Sequence, residues 1–224
     1  MRDSYSEFLS KGHLTKEQFF EFGLDSLILS PLDKAEHEWQ SLKRRIFSNE
    51  EVYVRGFGRH GAGSKLLLSF YENVFDNNNI KVDPTNNSFP TQLISKVTGY
   101  SKTGRKGFKP ISNYQVSHVF GRTKNIFCFT APWNIVFIPK IIDPLTGHEA
   151  HGGIVEEFTK LFRRRVFDKF ERQIAEYNCI ISHSGLLEKI EGYFSSSLEN
   201  STFSFDEKRR LRKSVKEEFS VIEV

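Results

Sequence analysis

The sequence has 224 residues, a formal net charge of +4 and a pI near 9.0. This length allows one well-packed core with an appended helical module, and the basic balance permits a polyanionic partner without requiring one. No apolar run approaches the roughly 20 residues of a membrane span, and residues 1–20 lack the apolar stretch of a signal peptide. Two distant cysteines, Cys128 and Cys179, predict small buried thiols rather than a disulfide framework. We therefore expect a cytoplasmic protein that does not associate with a membrane.

Residues 1–50 are predicted to be helical. Thr15 and Gln18 have the spacing of a capping box, in which the two side chains satisfy the first backbone N–H groups of a helix. Pro31 is typical of the start of a second helix, whose apolar side chains recur every three or four residues. Its predicted buried positions are Leu32, Ala35, Trp39, Leu42 and Ile46. We interpret this segment as a packing element or a dimer arm.

The next segment is rich in glycine and basic residues. Gly56, Gly58 and Gly61 match the dinucleotide-binding spacing G-x-G-x-x-G, and Asp76 follows at about the distance of the acidic residue in that fold. A dinucleotide site also requires a second parallel strand, and none is evident after Asp76. The P-loop spacing does not fit either, so both nucleotide-binding interpretations are disfavoured.

Two interpretations of this glycine-rich segment stay open. It is either an ordinary turn or a basic loop at a helix N-terminus, where backbone N–H groups and Arg55, Arg59 and Lys65 hold nucleic-acid phosphates. A second basic loop follows a short predicted helix at Thr91–Val97. Its glycines, hydroxyls and aromatic residues surround further cations, which suits contact with a phosphate backbone or solvation alone. The candidate contacts in the second loop are Lys102, Arg105 and Lys106.

The most apolar part of the chain predicts two strands, Tyr114–Phe120 and Trp133–Pro139, because both are rich in β-branched and aromatic residues. His118 lies late in the first strand and Asn134 opens the second. His148 lies just before a long helical pattern. The predicted order is therefore strand, loop, strand, helix.

Three helices are predicted after this unit. The first begins at Ile154 and has one apolar face, which includes Val155, Phe158 and Phe162. The other two are Gly185–Phe194 and the highly charged Phe205–Phe219.

The order of elements and the positions of His118, Asn134 and His148 resemble the ββα-metal (HNH) nucleases. In that family a strand histidine is the general base, an asparagine at the start of the second strand ties down the loop, and a residue near the helix binds one divalent ion. The resemblance covers about a sixth of the chain. Ser117 stands where the family usually has an acidic or histidine ligand, and the CxxC pairs that often brace the motif are absent.

The resemblance implies one Mg²⁺ or Mn²⁺ ion per site. His148 is then a metal ligand, with Glu149 or His151 as substitutes, and Asp143 is a further ligand if Ser117 is not one. A neutral histidine suits the base, since its ordinary pKa of about 6.5 leaves it largely unprotonated at pH 7. Two further cations of the intervening loop, Arg122 and Lys124, are expected to contact phosphate.

We expect an α+β fold in which a ββα-metal core is embedded in helical N- and C-terminal segments. The predicted parts are a helical arm (1–50), a DNA-contacting region (51–112), the catalytic core (113–176) and a helical C-terminal segment (177–224), all within one compact domain. The expected function is site-specific cleavage of double-stranded DNA, as by a restriction enzyme, and a homodimer would match palindromic DNA. The alternatives are an RNA-directed nuclease with the same site and a nucleic-acid-binding protein without catalysis.

Overall fold

The computed structural model describes residues 4–57, 61–147 and 149–224. These residues form a mixed fold with 54% helix and 10% strand, so the predicted α+β class is confirmed at the level of its helix and strand content. None of the described helices combines the length and the apolar character that a membrane crossing requires. The helices are α1 (Ser4–Leu9), α2 (Lys16–Asp25), α3 (Leu32–Phe47), α4 (Gly61–Phe75), α5 (Ser88–Thr98), α6 (Gly153–Ile181), α7 (Ser184–Gly192) and α8 (Phe205–Glu218), with a 3₁₀ helix at Asp143–Thr146 and a π-helix at Tyr193–Ser197. The strands are β1 (Ile28–Leu29), β2 (Val52–Val54), β3 (Ile80–Val82), β4 (Tyr100–Ser101), β5 (Lys109–Pro110), β6 (Tyr114–His118) and β7 (Ile135–Pro139).

The N-terminal helices begin where the sequence predicts. The Thr15 hydroxyl accepts the backbone N–H of Gln18, and the Gln18 side chain accepts the backbone N–H of Thr15, which completes the capping box of α2. Pro31 is the N-cap residue of α3. Four of its five predicted core positions are buried, whereas Leu32 in its first turn is 52% exposed.

The central sheet has three strands in the order β1-β7-β6. β6 and β7 form the predicted antiparallel hairpin, in which Tyr114 pairs with Pro139 and His118 with Ile135. Each strand is two residues shorter than predicted, because residues 119–120 and 133–134 belong to the loop. The third strand, β1, was not predicted, and it pairs Ile28 with Phe137 across more than 100 residues of chain.

The glycine-rich segment lies between two parallel strands. β2 pairs with β3 in parallel register, and α4 connects them, so the expectation that no second parallel strand follows is wrong. The strand was missed because it is three residues long and follows a polar run of asparagines. The carboxylate after β3 belongs to Asp83, which is buried and accepts the backbone N–H groups of Thr85, Ser88 and Phe89. It therefore stabilises the start of α5 and is not free to bind a ribose.

One main cluster of buried apolar side chains connects the four predicted segments. Trp39 of α3 meets Trp133 beside the hairpin edge to face, with 5.6 Å between ring centroids. Phe70 of α4 and Leu211 of α8 belong to the same cluster. A smaller cluster lies on the other face of the hairpin, where Ile94 and Val97 of α5 pack on Val116, Ile135 and Phe137.

The two cysteines differ in their exposure to solvent. Cys128 is fully buried, as predicted, and burial raises the pKa of its thiol far above the ordinary value. Cys179 is exposed on α6, so the prediction of two buried thiols is wrong for this residue. Its neighbours Ile174 and Ile181 are buried, and Cys179 lies on the outer face of the same helix.

Candidate functional site

His118 is the last residue of β6 and is buried. Its ring nitrogen Nε2 lies 2.9 Å from the carbonyl oxygen of Phe129, and the imidazole stacks on the Phe129 ring at 5.5 Å between centroids. A carbonyl oxygen can only accept a hydrogen bond, so Nε2 carries the proton in this contact. In a neutral imidazole, the basic lone pair then lies on Nδ1.

Asn134 precedes β7 and is fully buried. Its Oδ1 accepts the backbone N–H of Phe120 at 2.9 Å, and its Nδ2 donates to the carbonyls of Gly121 and Cys128, both at 3.0 Å. The hydrogen bonds across the loop that the sequence predicts for Asn134 are therefore present. They fix the loop that supplies the hydrogen-bond partner of His118.

Ser117 and Asp143, two of the predicted metal ligands, are both buried. Ser117 pairs with Val136 in the strand next to His118. Successive strand residues point to opposite faces of a sheet, so Ser117 and His118 lie on opposite faces. Ser117 shares its face with Val136, which packs in the main core together with side chains of α6. Asp143 begins the 3₁₀ helix that follows β7, and its backbone carbonyl accepts the hydroxyl of Thr146 at 2.7 Å.

The remaining predicted ligand, His148, lies outside the described residues. Its suggested substitutes, Glu149 and His151, are exposed just before α6. Within 4–57, 61–147 and 149–224, no three His, Cys, Asp or Glu side chains form a group that could hold a metal ion. The ligand set that includes His148 stays a prediction.

Most of the predicted nucleic-acid contacts are exposed cations. The loop between β4 and β5 carries three of them, and the Arg105 guanidinium lies 5.4 Å from the centre of the Phe108 ring. Arg59 lies outside the described residues. In the part of the chain that the structure describes, none of the exposed predicted cations forms an ion pair, so all are available to an anion. They are Arg55, Lys65, Lys102, Arg105 and Lys106.

Arg122 is used inside the protein. Its guanidinium donates to the carbonyl of Phe120 at 3.1 Å, to the carbonyl and hydroxyl of Ser220 at 3.1 and 2.9 Å, and to the carbonyl of Val221 at 2.6 Å. Its backbone is left-handed, with φ of 52°, directly after Gly121 with φ of 66°. The hydrogen bonds offset the strain of this conformation in a non-glycine residue. Arg122 thus ties the hairpin loop to the C-terminal segment.

Lys124 is similarly engaged. Its Nζ forms an ion pair with Glu218 at 2.9 Å, and its backbone N–H donates to the same carboxylate. The ammonium also lies 5.2 Å from the centre of the Phe57 ring. That Lys124 and Arg122 also contact phosphate stays a prediction.

A cavity of about 370 Å³ lies along the first half of α6 and reaches Gly147 and His151, on either side of His148. Arg163 lines it, and its Nε is buried with no hydrogen-bond partner among the described residues. Burial lowers the pKa of the Arg163 guanidinium below its ordinary value, and the nearby charge of Arg122 lowers it further. An anion in the cavity would relieve both effects.

Arg163 lines the cavity although the sequence did not predict it as a site residue. The three consecutive arginines predict only that they cannot all point one way, and the structure separates them. Arg164 pairs with Asp168 at 2.8 Å and Arg165 lies 3.9 Å from Asp25, and both arginines are more than 60% exposed. The available signal is the spacing of Arg163 from Phe162 and Val166, which places it beside the buried face of α6.

A second cavity, of about 650 Å³, is larger and more apolar than the one that Arg163 lines. It is lined by residues of α3, α4, α6 and α7, including Phe47, Phe75 and Cys179. None of the predicted site residues lines it, so it lies outside the candidate site.

Comparison with known proteins places the chain in a family. A family described as "Uncharacterised protein PM1201" matches residues 30–224. The chain belongs to this family. It is similar to a protein of Pasteurella multocida (strain Pm70) with the same description, with 44% identity over 226 residues that cover 99% of this chain and 98% of the relative. No solved structure matches the chain. Neither description names an activity, and the geometry of the site carries the functional proposal.

Proposed function

We propose that this protein is a metal-dependent endonuclease of the ββα-metal (HNH) type that hydrolyses phosphodiester bonds of double-stranded DNA. The observation that carries the proposal is the hydrogen bond between His118 Nε2 and the carbonyl of Phe129. It selects the tautomer in which Nδ1 can accept a proton, and Asn134 holds the loop that provides this carbonyl.

His118 acts as the general base. Its Nδ1 takes a proton from a water molecule as the water oxygen attacks phosphorus, the bond from phosphorus to the leaving oxygen breaks, and the imidazole becomes imidazolium. The leaving oxygen takes up a proton from solvent. The Phe129 carbonyl stabilises this positive charge because it already accepts the Nε2 proton. Asn134 is a positioning residue, since it acts on His118 only through the loop.

The donor chemistry near the hairpin fits a hard divalent ion. Asp143 provides a buried carboxylate, and oxygen atoms are the ligands that Mg²⁺ prefers. Asp143 and His148 would hold the ion. The predicted ligand Ser117 lies on the face of the sheet opposite to His118, so it would not bind an ion that acts together with this base. When bound, the ion stabilises negative charge on the non-bridging phosphate oxygens and on the leaving oxygen.

The exposed cations support a long DNA contact. Arg55 and Lys65 flank the glycine-rich segment, and the loop between β4 and β5 adds a second cluster that begins at Lys102. Backbone contacts of this kind position a protein on a duplex, and many residues outside the hairpin are left for base recognition. We infer a site-specific enzyme of the restriction type, in which a symmetric dimer would match palindromic DNA.

The test is digestion of plasmid and genomic DNA with Mg²⁺, with Mn²⁺ and with EDTA. We expect discrete metal-dependent fragments from the native protein. His118→Ala should lower the cleavage rate by about 10² to 10⁴-fold, because the general base is lost, while duplex binding is retained. His37→Ala, which removes an exposed histidine of α3, is the matched control and should cleave normally.

A second variant separates loss of chemistry from loss of folding. His118→Asn keeps a side-chain N–H that can donate to the Phe129 carbonyl but has no basic nitrogen, so it should fold and fail to cleave. Normal cleavage by both variants, or no cleavage of duplex DNA by the native protein, overturns the proposal. Cleavage of single-stranded RNA alone identifies an RNA-directed nuclease. Metal-independent duplex binding without any cleavage identifies a binding protein.

A further inference from the structure

We infer that the cavity beside α6 binds a phosphate group of the nucleic-acid strand, with Arg163 and Lys160 as its cationic contacts. The inference rests on the proposed function and extends it from the hairpin to α6. It assigns a role to a part of the helix that the sequence predicts only to pack against the core.

Arg163 carries a positive charge that no described side chain neutralises. Its guanidinium is half-buried, and within the described residues it has neither an ion pair nor a hydrogen-bond partner for Nε. Leaving such a donor unsatisfied is costly in the folded state. A group that pays this cost without a protein partner is expected to gain one from a ligand, and a planar guanidinium suits phosphate oxygens.

A second cation lines the cavity. Lys160 lies one helical turn before Arg163 on the same face of α6, and it also forms no ion pair among the described residues. Arg122 is close enough to lower the pKa of the Arg163 guanidinium, but its own N–H groups donate to Phe120, Ser220 and Val221. The guanidinium of Arg163 and the ammonium of Lys160 therefore supply the donors that phosphate oxygens would accept in this cavity.

The wall of the cavity is fixed by a side-chain hydrogen bond. Thr159 is the residue before Lys160 in α6, and its hydroxyl donates to the carbonyl of Leu145 at 2.9 Å. Gly147 approaches the same hydroxyl so closely that an added Cβ would lie 3.2 Å from it, and its φ is +82°. The cavity is therefore held between α6 and the segment that ends at Gly147.

Two glutamates oppose the cations. Glu156 of α6 and Glu223 of the C-terminal segment line the same cavity, although within the described residues neither forms an ion pair with Arg163 or Lys160. A strand phosphate that enters the cavity meets both negative charges. Removal of the Glu223 charge is expected to strengthen phosphate binding.

The experiment measures binding in EDTA, so that it does not depend on cleavage. The thymidine dinucleotide pTpT and inorganic phosphate are titrated at fixed ionic strength, with ³¹P NMR and thermal shift as readouts. Arg163→Gln should weaken pTpT binding by about tenfold or more, the scale of one charge-assisted hydrogen bond, and Lys160→Gln should weaken it less. Glu223→Gln should strengthen it.

Arg164→Gln is the matched control, since it removes the same charge from the neighbouring, exposed position. It should change the affinity less than twofold. His118→Ala should bind pTpT normally, so failure of the nuclease proposal leaves this result intact. Equal losses in Arg163→Gln and Arg164→Gln, no saturable binding by the native protein, or tighter binding of inorganic phosphate than of pTpT would each overturn the inference.

Discussion

Asn134 shows how one buried amide can shape a loop. Its Nδ2 donates two hydrogen bonds to backbone carbonyls of the loop, and its Oδ1 accepts one from a backbone N–H. Its removal leaves buried backbone groups without partners, each of which costs about 1–3 kcal/mol.

Asn134→Ala should therefore lower the free energy of unfolding by about 2–4 kcal/mol, as measured by urea denaturation. Asn134→Asp should be no better, because it keeps the shape but places acceptors against the carbonyls of Gly121 and Cys128. Asn73→Ala is the control, since that amide makes an exposed bond within α4, and it should change stability by less than about 0.5 kcal/mol. A small loss in Asn134→Ala would mean that the loop holds its shape without the amide.

At the scale of elements, the C-terminal segment is held by side chains of the hairpin loop and α6. Arg122 binds Ser220 and Val221, and the Asn178 amide forms a reciprocal pair with the backbone of Ile222, at 2.8 and 3.0 Å. These bonds hold the C-terminal segment against the hairpin loop and α6. Tyr177 of α6 adds a further bond, because its hydroxyl donates to the carbonyl of Ser220.

Arg122→Gln should release this segment. We expect faster hydrogen–deuterium exchange of the Ile222 amide and a stability loss of about 1.5–3 kcal/mol, the range for hydrogen bonds to a charged group. Arg165→Gln, which loses only a long and exposed ion pair, should leave the exchange of this amide unchanged. Unchanged exchange in Arg122→Gln would show that Asn178 alone holds the segment.

Local elements could be predicted from the sequence because their signals are local. The capping box at Thr15, the start of α3 after Pro31 and the two strands of the hairpin each depend on a few neighbouring residues. The hydrogen bonds of Asn134 across the loop are predicted by the same resemblance that predicts His118 as the general base.

The features that escaped prediction depend on partners far away in the chain. β1 and β3 are two and three residues long and become strands only through their pairing with β7 and β2. The engagement of Arg122 by Ser220 and the burial of Arg163 likewise need the folded chain. A basic residue looks the same in sequence whether its partner is a phosphate or a backbone carbonyl.

At the scale of the whole molecule, the shared core predicts cooperative unfolding. Trp39 and Trp133 come from different predicted segments, yet both are fully buried and in contact. Tryptophan fluorescence therefore reports on the core, and circular dichroism reports on the helices around it.

We expect the two signals to change together in one urea transition, as for a single domain. Trp39→Phe, which leaves Trp133 as the only tryptophan, is the control for the fluorescence assignment and should give the same coincidence. Separate midpoints, with helical signal lost before or after fluorescence, would instead indicate that the helical arm or the C-terminal segment is an independent unit.

The pairing of β1 with β7 has a consequence for synthesis of the chain. Ile28 leaves the ribosome 109 residues before its partner Phe137, and Trp39 leaves it 94 residues before Trp133. At about 5–20 residues per second, the N-terminal segment waits roughly 5–20 s for the strand and the tryptophan that cover it. During this interval, the apolar face of α3 is open to chaperones and to other nascent chains, so the yield of folded protein should depend on the rate of translation between these two points.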